Sequence, residues 1–448
     1  MKPEKLPLPK IIAYGFGVFG WSLSLNIVSV LLAYLYLPPA GKGLVNLVPQ
    51  ITVFAVFNII SLIMPAGRLF DAFIDPFIAS FSDRSKNPKG RRIPLMRIAT
   101  VPMVIFAILM FMPPFRTENG LNIVWIGVIQ FGYYFFFGLY VIPYNTLLTE
   151  LGHYPNGKMQ LSTTQSIGFM LGMVASTFTA QYTTEIQQFL HVADRLTAYQ
   201  YAIIIENIIA GLCMLLPALV IDEKRYCKPG ESNEPLWQSL KTTLKNANFR
   251  IFAFADASFF MGVAIITSGL QYYITVLLGI REEESGDLMA IMVVVILLVS
   301  PLVGLLEKRI RKKVLIIFSF TAQAIVFMGI YFFGRLPIPA YAQAVLLMVL
   351  FGIFDAILGI LPTTVVADIA EADTKATGQN KEGMYFGMRA FFQKTGQTLG
   401  ISVFLMLTFY GKDPGHDLGL RLNGVAGCLL LLTAAAAYTR FKDQPNHF

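Results

Sequence analysis

The sequence predicts an all-α membrane protein with twelve transmembrane helices arranged as two six-helix bundles. Three observations lead there. The 448 residues are 55% hydrophobic and 14% charged, with a mean hydropathy of +0.61, whereas a soluble chain carries about 25% charged residues. Continuous apolar runs of about 20 residues or more recur along the whole length, which suits helices; a barrel would show short alternating segments. Lysine and arginine concentrate in every second loop, so the chain crosses back and forth.

The spans fall near 11–37, 51–82, 93–113, 122–148, 161–185, 199–221, 250–279, 287–306, 313–334, 340–372, 382–410 and 418–440. Several exceed the length needed to cross, so tilt or extension beyond the bilayer is expected. Of the 35 lysines and arginines, 24 lie in the termini and the even-numbered loops and seven on the other side, which predicts that both termini are cytoplasmic in a multi-pass cell-membrane protein. The same distribution explains the net charge of +8 as a topology signal rather than a nucleic-acid-binding face. Residues 1–221 are expected to form the first bundle and 250–448 the second. In the 222–249 linker, Leu236, Trp237, Leu240 and Leu244 recur at helical spacing beside Lys241 and Lys245, which predicts an interfacial helix; a flexible linker is the competing reading.

The three cysteines, Cys213, Cys227 and Cys428, have no redox or metal-ligand spacing, and no disulfide is expected. The first apolar run is too long for a signal-peptide core. No P-loop, zinc pattern or serine-hydrolase elbow is present, so neither an enzyme nor an ATP-driven pump is expected. No cofactor is called for, and the expected state is a monomer.

One segment breaks the apolar pattern: "RLFDAFIDPFIASFSDR", residues 68–84. Asp71 and Asp75 are one helical turn apart and Arg68 is three residues before Asp71, so the three share a face. A charge near the bilayer centre costs about 2.5–3.5 kcal/mol on insertion scales. The face is therefore expected to look into a protected cavity between the bundles. Two carboxylates at this spacing suit a monovalent cation: they can share a proton or offer hard oxygens to Na⁺, and the cation relieves their repulsion. A static bridge between Arg68 and an aspartate, locking two helices, is the competing reading. Asp83, Arg84, Arg91 and Arg92 follow at the cytoplasmic end and suit a gate that holds one state.

Other polar groups recur inside spans. The eleventh holds Arg389 and Lys394, and the lysine can neutralise an aspartate of the second. Asp256 and Asp355 read equally as hydrogen-bond anchors or cavity lining, and Asp368, Glu371 and Asp373 as a solvated cytoplasmic edge. Trp21 and Ser22 in the first span, Tyr140, Tyr144 and Asn145 in the fourth, and Gln165 in the fifth combine aromatic faces with amide and hydroxyl groups. That combination suits a sugar, though each also suits ordinary packing. Gly168/Gly172 and Gly396/Gly400 are small-residue pairs for close helix contact.

The pattern Arg68, Asp71-Ala72, Asp75-Pro76, Asp83-Arg84, Gly90-Arg91-Arg92 and Pro94 resembles the glycoside–pentoside–hexuronide:cation symporters, the melibiose-carrier branch of the major facilitator superfamily. "YGFGVFG", "IPYNTLLTEL" and "VVADIAEADTKATGQNKEGMYFGMRAFFQKTGQ" extend the resemblance over nearly the whole chain. It implies a major facilitator fold with alternating access. It also implies an Na⁺, Li⁺ or H⁺ site at Asp71 and Asp75 with Lys394 close by. Ser22, Val141 and Gln165 stand where the galactoside carriers have two acidic residues and an arginine. Ile74 replaces an asparagine, and Gly138 falls at the helix-four threonine of the sodium site. The thinner oxygen shell favours H⁺ over Na⁺ and leaves sugar specificity open. The reading is a cation-coupled symporter of a sugar, glycoside or hexuronide. A lysolipid or amphiphile transporter on the same fold is the alternative, and a non-transporting receptor or scaffold is more remote.

Overall fold

The computed structural model describes residues 4–442 apart from 40–43, 50–51, 54–56, 86, 89, 155–156, 228–242, 308 and 378–381. The predicted interfacial helix lies outside the described residues, as do the side chains of Asp83 and Arg84. The helices are α1 Leu8–Tyr36, α2 Ile59–Arg84, α3 Ile93–Met110, α4 Gly120–Leu151, α5 Gly157–Thr177, α6 Thr179–Phe189 and α7 Arg195–Val220. They continue with α8 Glu223–Tyr226, α9 Ala247–Tyr272, α10 Ser285–Glu307, α11 Lys312–Gly329, α12 Ala340–Thr377, α13 Glu382–Thr408 and α14 Leu418–Thr439. Two two-residue strands, Thr52–Val53 and Phe57–Asn58, pair ahead of α2.

The helices occupy the twelve expected positions, with two corrections. The second span starts at Ile59 rather than 51, after the strands Thr52–Val53 and Phe57–Asn58, whose Thr52, Val53 and Phe57 are β-branched or aromatic residues that favour extended pairing. The fifth span is broken at Phe178 into α5 and α6. Ser176, Thr177 and Thr179 each turn a hydroxyl onto a carbonyl three residues back, a local competition that disturbs the helix ladder. Asp194 caps α7 through the amides of Leu196 and Thr197, and Asn246 caps α9 through that of Phe249.

Nine helices among the described residues are long and apolar enough to cross a membrane. The helices α2, α5 and α13 are not among them, and they carry Arg68, Asp71 and Asp75; a run of serine, threonine and Gln165; and Arg389 and Lys394. Polar chemistry, not shortness, sets them apart.

The chain forms two compact units. The first holds 1–52, 62–231 and 282–287; the second holds 53–61, 232–281 and 288–448. One device recurs in both. In the first unit, a Cβ on Gly168 or Gly172 of α5 would press on the carbonyl oxygens of Gly15 and Phe19 in α1. In the second, Gly396 and Gly400 of α13 meet the carbonyls of Ala257 and Met261 in α9 in the same way. Each unit's fifth span is thus set directly on the backbone of its first, which only glycine permits at that distance. This repetition marks two copies of one helical plan.

Candidate functional site

Helix α2 separates its two faces sharply. Phe73, Phe77 and Phe81 recur every fourth residue and are exposed, while Asp71, Ala72, Ile78 and Ser82 are buried. The helix therefore keeps a greasy side outward and turns its carboxylates into its own unit. A Cβ placed on Gly138 of α4 would sit 3.3 Å from Asp75 Oδ1 and 3.5 Å from Asp71 Oδ1. Both oxygens thus converge on one point of the α4 backbone. Gly67 closes against Gln130 and Tyr134, and Phe70 packs edge-on against Phe131 at 5.0 Å. These α2–α4 contacts lie on the N-terminal side of the carboxylates. Within the first unit, Asp71 and Asp75 each bring an oxygen toward Gly138 of α4.

Arg68 turns toward α1, where its guanidinium donates to the Ser29 hydroxyl. The Tyr133 ring of α4 lies within electrostatic reach of Arg68 and Asp71. Its hydroxyl is 3.4 Å from Ser24 Oγ, which in turn donates to Asn207 Oδ1 at 2.8 Å. Lys394 is half-buried on α13 and belongs to the second unit.

A cavity of roughly 290 Å³ opens between α1 and α5, lined by Trp21, Ser162, Gln165, Ser166, Phe169 and Met170. Its Trp21 indole N–H is buried and has no hydrogen-bond partner. Gln165 donates to Asn145 Oδ1 at 2.7 Å, so three predicted residues, Trp21, Gln165 and Asn145, come together here. Trp21 leans on Phe169 at 5.4 Å and meets Phe137 edge-on at 6.0 Å. Phe137 is the neighbour of Gly138 on α4, so one short α4 segment touches both the cavity wall and the carboxylates.

The other predicted contacts lie elsewhere. Ser22 spends its hydroxyl on the Phe169 carbonyl at 2.7 Å. Tyr140 and Tyr144 are fully buried; Tyr140 donates to the Met214 carbonyl at 2.8 Å, and Tyr144 donates to the Tyr14 carbonyl and stacks on the Tyr14 ring at 4.4 Å. All three serve packing between helices. Ser162, Ser166, Phe169 and Met170 carry no motif of their own, although Ser162, Phe169 and Ser166–Met170 recur three to five residues apart on either side of Gln165, as neighbours on one helix face do.

Of the predicted cytoplasmic gate, the arginine pair is well placed within its unit. Arg92 approaches Glu150 Oε1 at 3.1 Å and donates to Ser82 Oγ at 2.7 Å, and Arg91 lies 3.3 Å from the same Glu150 oxygen. Glu223 accepts the backbone amides of Arg91, Arg92 and Ile93 at 2.6, 2.9 and 3.1 Å, capping α3. Burial pushes the Glu150 carboxyl up, and the Arg92 and Arg91 guanidiniums pull against that shift without cancelling it. Both arginines brace α3 to α4 and α8.

In the second unit, Asp256 is an anchor, buried against Arg389 and Gln393. Asp368 pairs with Lys312 and Glu371 with Lys375, each at 2.7 Å. Asp355 is half-buried in the middle of α12.

A sequence profile described as "MFS/sugar transport protein" matches residues 13–415. An uncharacterised symporter of Synechocystis sp. is 21% identical, over 94% of this chain and 90% of its own. A glucuronide carrier protein homolog of Escherichia coli is 22% identical, over 75% of this chain and 72% of its own. Among solved structures, a nucleoside transporter superposes with a TM-score of 0.70 at 12% identity, covering 97% of this chain and all of the other. That superposition establishes the major facilitator fold, and the profile, which spans nine-tenths of the chain, agrees with the resemblance carried by the helix-two motif. The chain therefore belongs to the MFS/sugar transport protein family and is a multi-pass membrane transporter rather than an enzyme.

Proposed function

We propose that the protein is a cation-coupled symporter of a sugar, glycoside or hexuronide, with Asp71 and Asp75 as the coupling site and the α1–α5 cavity as the solute contact of the first unit. The observation that carries this reading is the convergence of two intramembrane carboxylate oxygens on Gly138, one residue from the Phe137 ring that meets Trp21. Two carboxylates aimed at one point repel when both are ionised, and a cation removes that repulsion. Its arrival or departure therefore shifts how α2 lies on α4, and the α4 segment carries that shift to the cavity wall.

The proton is the favoured cation. Gly138 offers no side-chain oxygen toward the pair, and Na⁺ prefers several hard oxygen ligands, whereas two carboxylates can share a single proton. Arg68 holds the α1 side of the site through Ser29 and keeps the face electrostatically balanced. Lys394 is assigned to the same coupling function from the resemblance.

In the cavity, Trp21 and Phe169 offer ring faces, and Trp21, Gln165, Ser162 and Ser166 offer polar contacts. A sugar presents this combination of C–H faces and hydroxyls. The named glucuronide carrier homolog among the relatives supports a hexuronide or glycoside within this class. Uptake into proteoliposomes tests the reading, with imposed H⁺ or Na⁺ gradients and a panel of sugars, glucuronides and lysolipids. The reading expects gradient-driven accumulation of a carbohydrate. Accumulation of lysolipid alone moves the protein to the amphiphile class, and no gradient dependence for any solute removes the symport assignment.

A further inference from the structure

Helix α7 carries an acidic residue near the middle of its 26 residues. Glu206 is 5% exposed. Its Oε2 lies 2.8 Å from the Thr179 hydroxyl oxygen, and its Oε1 is buried without a hydrogen-bond partner. Thr179 is the first residue of α6, immediately after the break at Phe178. The same hydroxyl reaches the Ser176 carbonyl at 2.9 Å, and Thr183 bonds back to the Thr179 carbonyl at 2.8 Å. The carboxyl is therefore held by the rim of the α5–α6 break.

The groups around it are neutral. From α6, Tyr182 lies within its field, with Glu185 beyond it. From α1 and α3, which also pack on α7, no charged side chain acts on Glu206 among the described residues. A buried carboxylate needs a cation or a full set of donors, and here one hydroxyl faces one oxygen. A carboxylic acid fits: the Thr179 hydroxyl gives its one hydrogen to the Ser176 carbonyl, a proton on Oε2 donates to Thr179 Oγ1, and the neutral carbonyl-type Oε1 is left unpartnered at lower cost than a charged oxygen.

We propose that Glu206 is a proton-binding site of its own, distinct from Asp71 and Asp75. It holds a proton on Oε2, donated to Thr179 Oγ1, while α6 is seated on α7. When the break at Phe178 lets water reach Oε2, the proton passes to the water and leaves the carboxylate behind. The proposal goes beyond the symport reading and does not depend on which solute is carried.

Infrared spectroscopy of the full chain in lipid tests it, in H₂O and D₂O. The expected result is a protonated-carboxyl C=O component at neutral pH that shifts in D₂O and is missing from Glu206→Gln when its spectrum is subtracted from that of the matching protein, both in the parent background and in one carrying Asp71→Asn and Asp75→Asn, which removes the contribution of that pair. A Glu206→Gln change that removes no such component in either background overturns the proposal. Should Glu206→Gln fail to fold, Thr179→Val is read instead in the Asp71→Asn, Asp75→Asn background. Removing the hydroxyl partner shifts the component to higher frequency if it belongs to Glu206, and an unmoved component contradicts the assignment.

Discussion

Arg389 holds Asp256 with Nε 3.0 Å from Oδ2, and both side chains are almost fully buried. The arginine also donates to Thr363 at 2.7 Å, and Gln393 reaches the same Asp256 oxygen at 3.2 Å. Helices α9, α12 and α13 are thereby joined by one neutral-sum cluster. This is the opposite arrangement to Asp71 and Asp75, where two carboxylates approach one another at Gly138. Removing one partner leaves an uncompensated buried charge. Asp256→Ala or Arg389→Ala is therefore expected to cost about 3–5 kcal/mol of stability, while a double change to apolar residues of similar size recovers most of it. Thermal unfolding in detergent of the singles and the double reads this directly, and equal losses that simply add would argue against a pair.

The glycine seats of α5 and α13 give a second expectation. Gly172→Ala and Gly400→Ala both push a methyl into a carbonyl of the facing helix, at a cost of about 1–3 kcal/mol each. Gly359, where a Cβ meets nothing within 4 Å, serves as the control: Gly359→Ala should be neutral or slightly stabilising in the same unfolding assay.

The cavity makes a prediction about recognition. Trp21→Phe keeps a ring against Phe169 but removes the unpartnered indole N–H. If that N–H meets a solute hydroxyl, binding weakens by about 0.5–1.5 kcal/mol, roughly 2- to 10-fold. Gln165→Ala removes a polar wall group and its tie to Asn145, so it should weaken binding at least as much. Binding isotherms with the transported solute check both, and an unchanged affinity in the two variants would move solute contact away from this cavity.

A pH effect follows from Asp417. The Arg421 guanidinium, bonded to both carboxylate oxygens at 2.8 and 2.9 Å, holds the Asp417 carboxyl below its usual range, against a smaller opposing effect of burial. The folded value is thus below the unfolded one. The stabilisation is complete above the ordinary carboxylate value of about 4 and is lost as pH falls toward the folded value. Unfolding temperatures measured from pH 6 downward should drop less steeply in Asp417→Asn than in the parent chain.

Much of this molecule is legible from residues alone, for identifiable reasons. Hydropathy marks the most apolar spans, loop length and charge alternation place α2, α5 and α13 between them, and the four-residue spacing of Asp71 and Asp75 puts them on one face. Spacing does not say which neighbour that face meets, so Gly138 as the point of convergence needs the packed structure. The Asp256–Arg389 bond joins residues 133 positions apart, beyond the reach of any local pattern. Tyr140 and Tyr144 look like cavity residues by type, and only their covered rings and committed hydroxyls show otherwise. The break at Phe178 falls where the chain turns polar, with Thr179, Gln181, Thr183, Thr184 and Glu185 following, a change that a span count set by length alone passes over. Glu206 did leave a signal, a lone acid in an apolar run, that the more prominent carboxylate pair overshadowed.

If Asp71 and Asp75 bind the cation that drives solute uphill, gradient-driven accumulation and solute counterflow in proteoliposomes separate in the parent chain, Asp71→Asn and Asp75→Asn. Both variants are expected to lose accumulation while at least one still exchanges solute across the membrane, since coupling is removed but the cavity is not. Accumulation at the parental level in both variants, under the same imposed gradient, would rule out the aspartate pair as the coupling site.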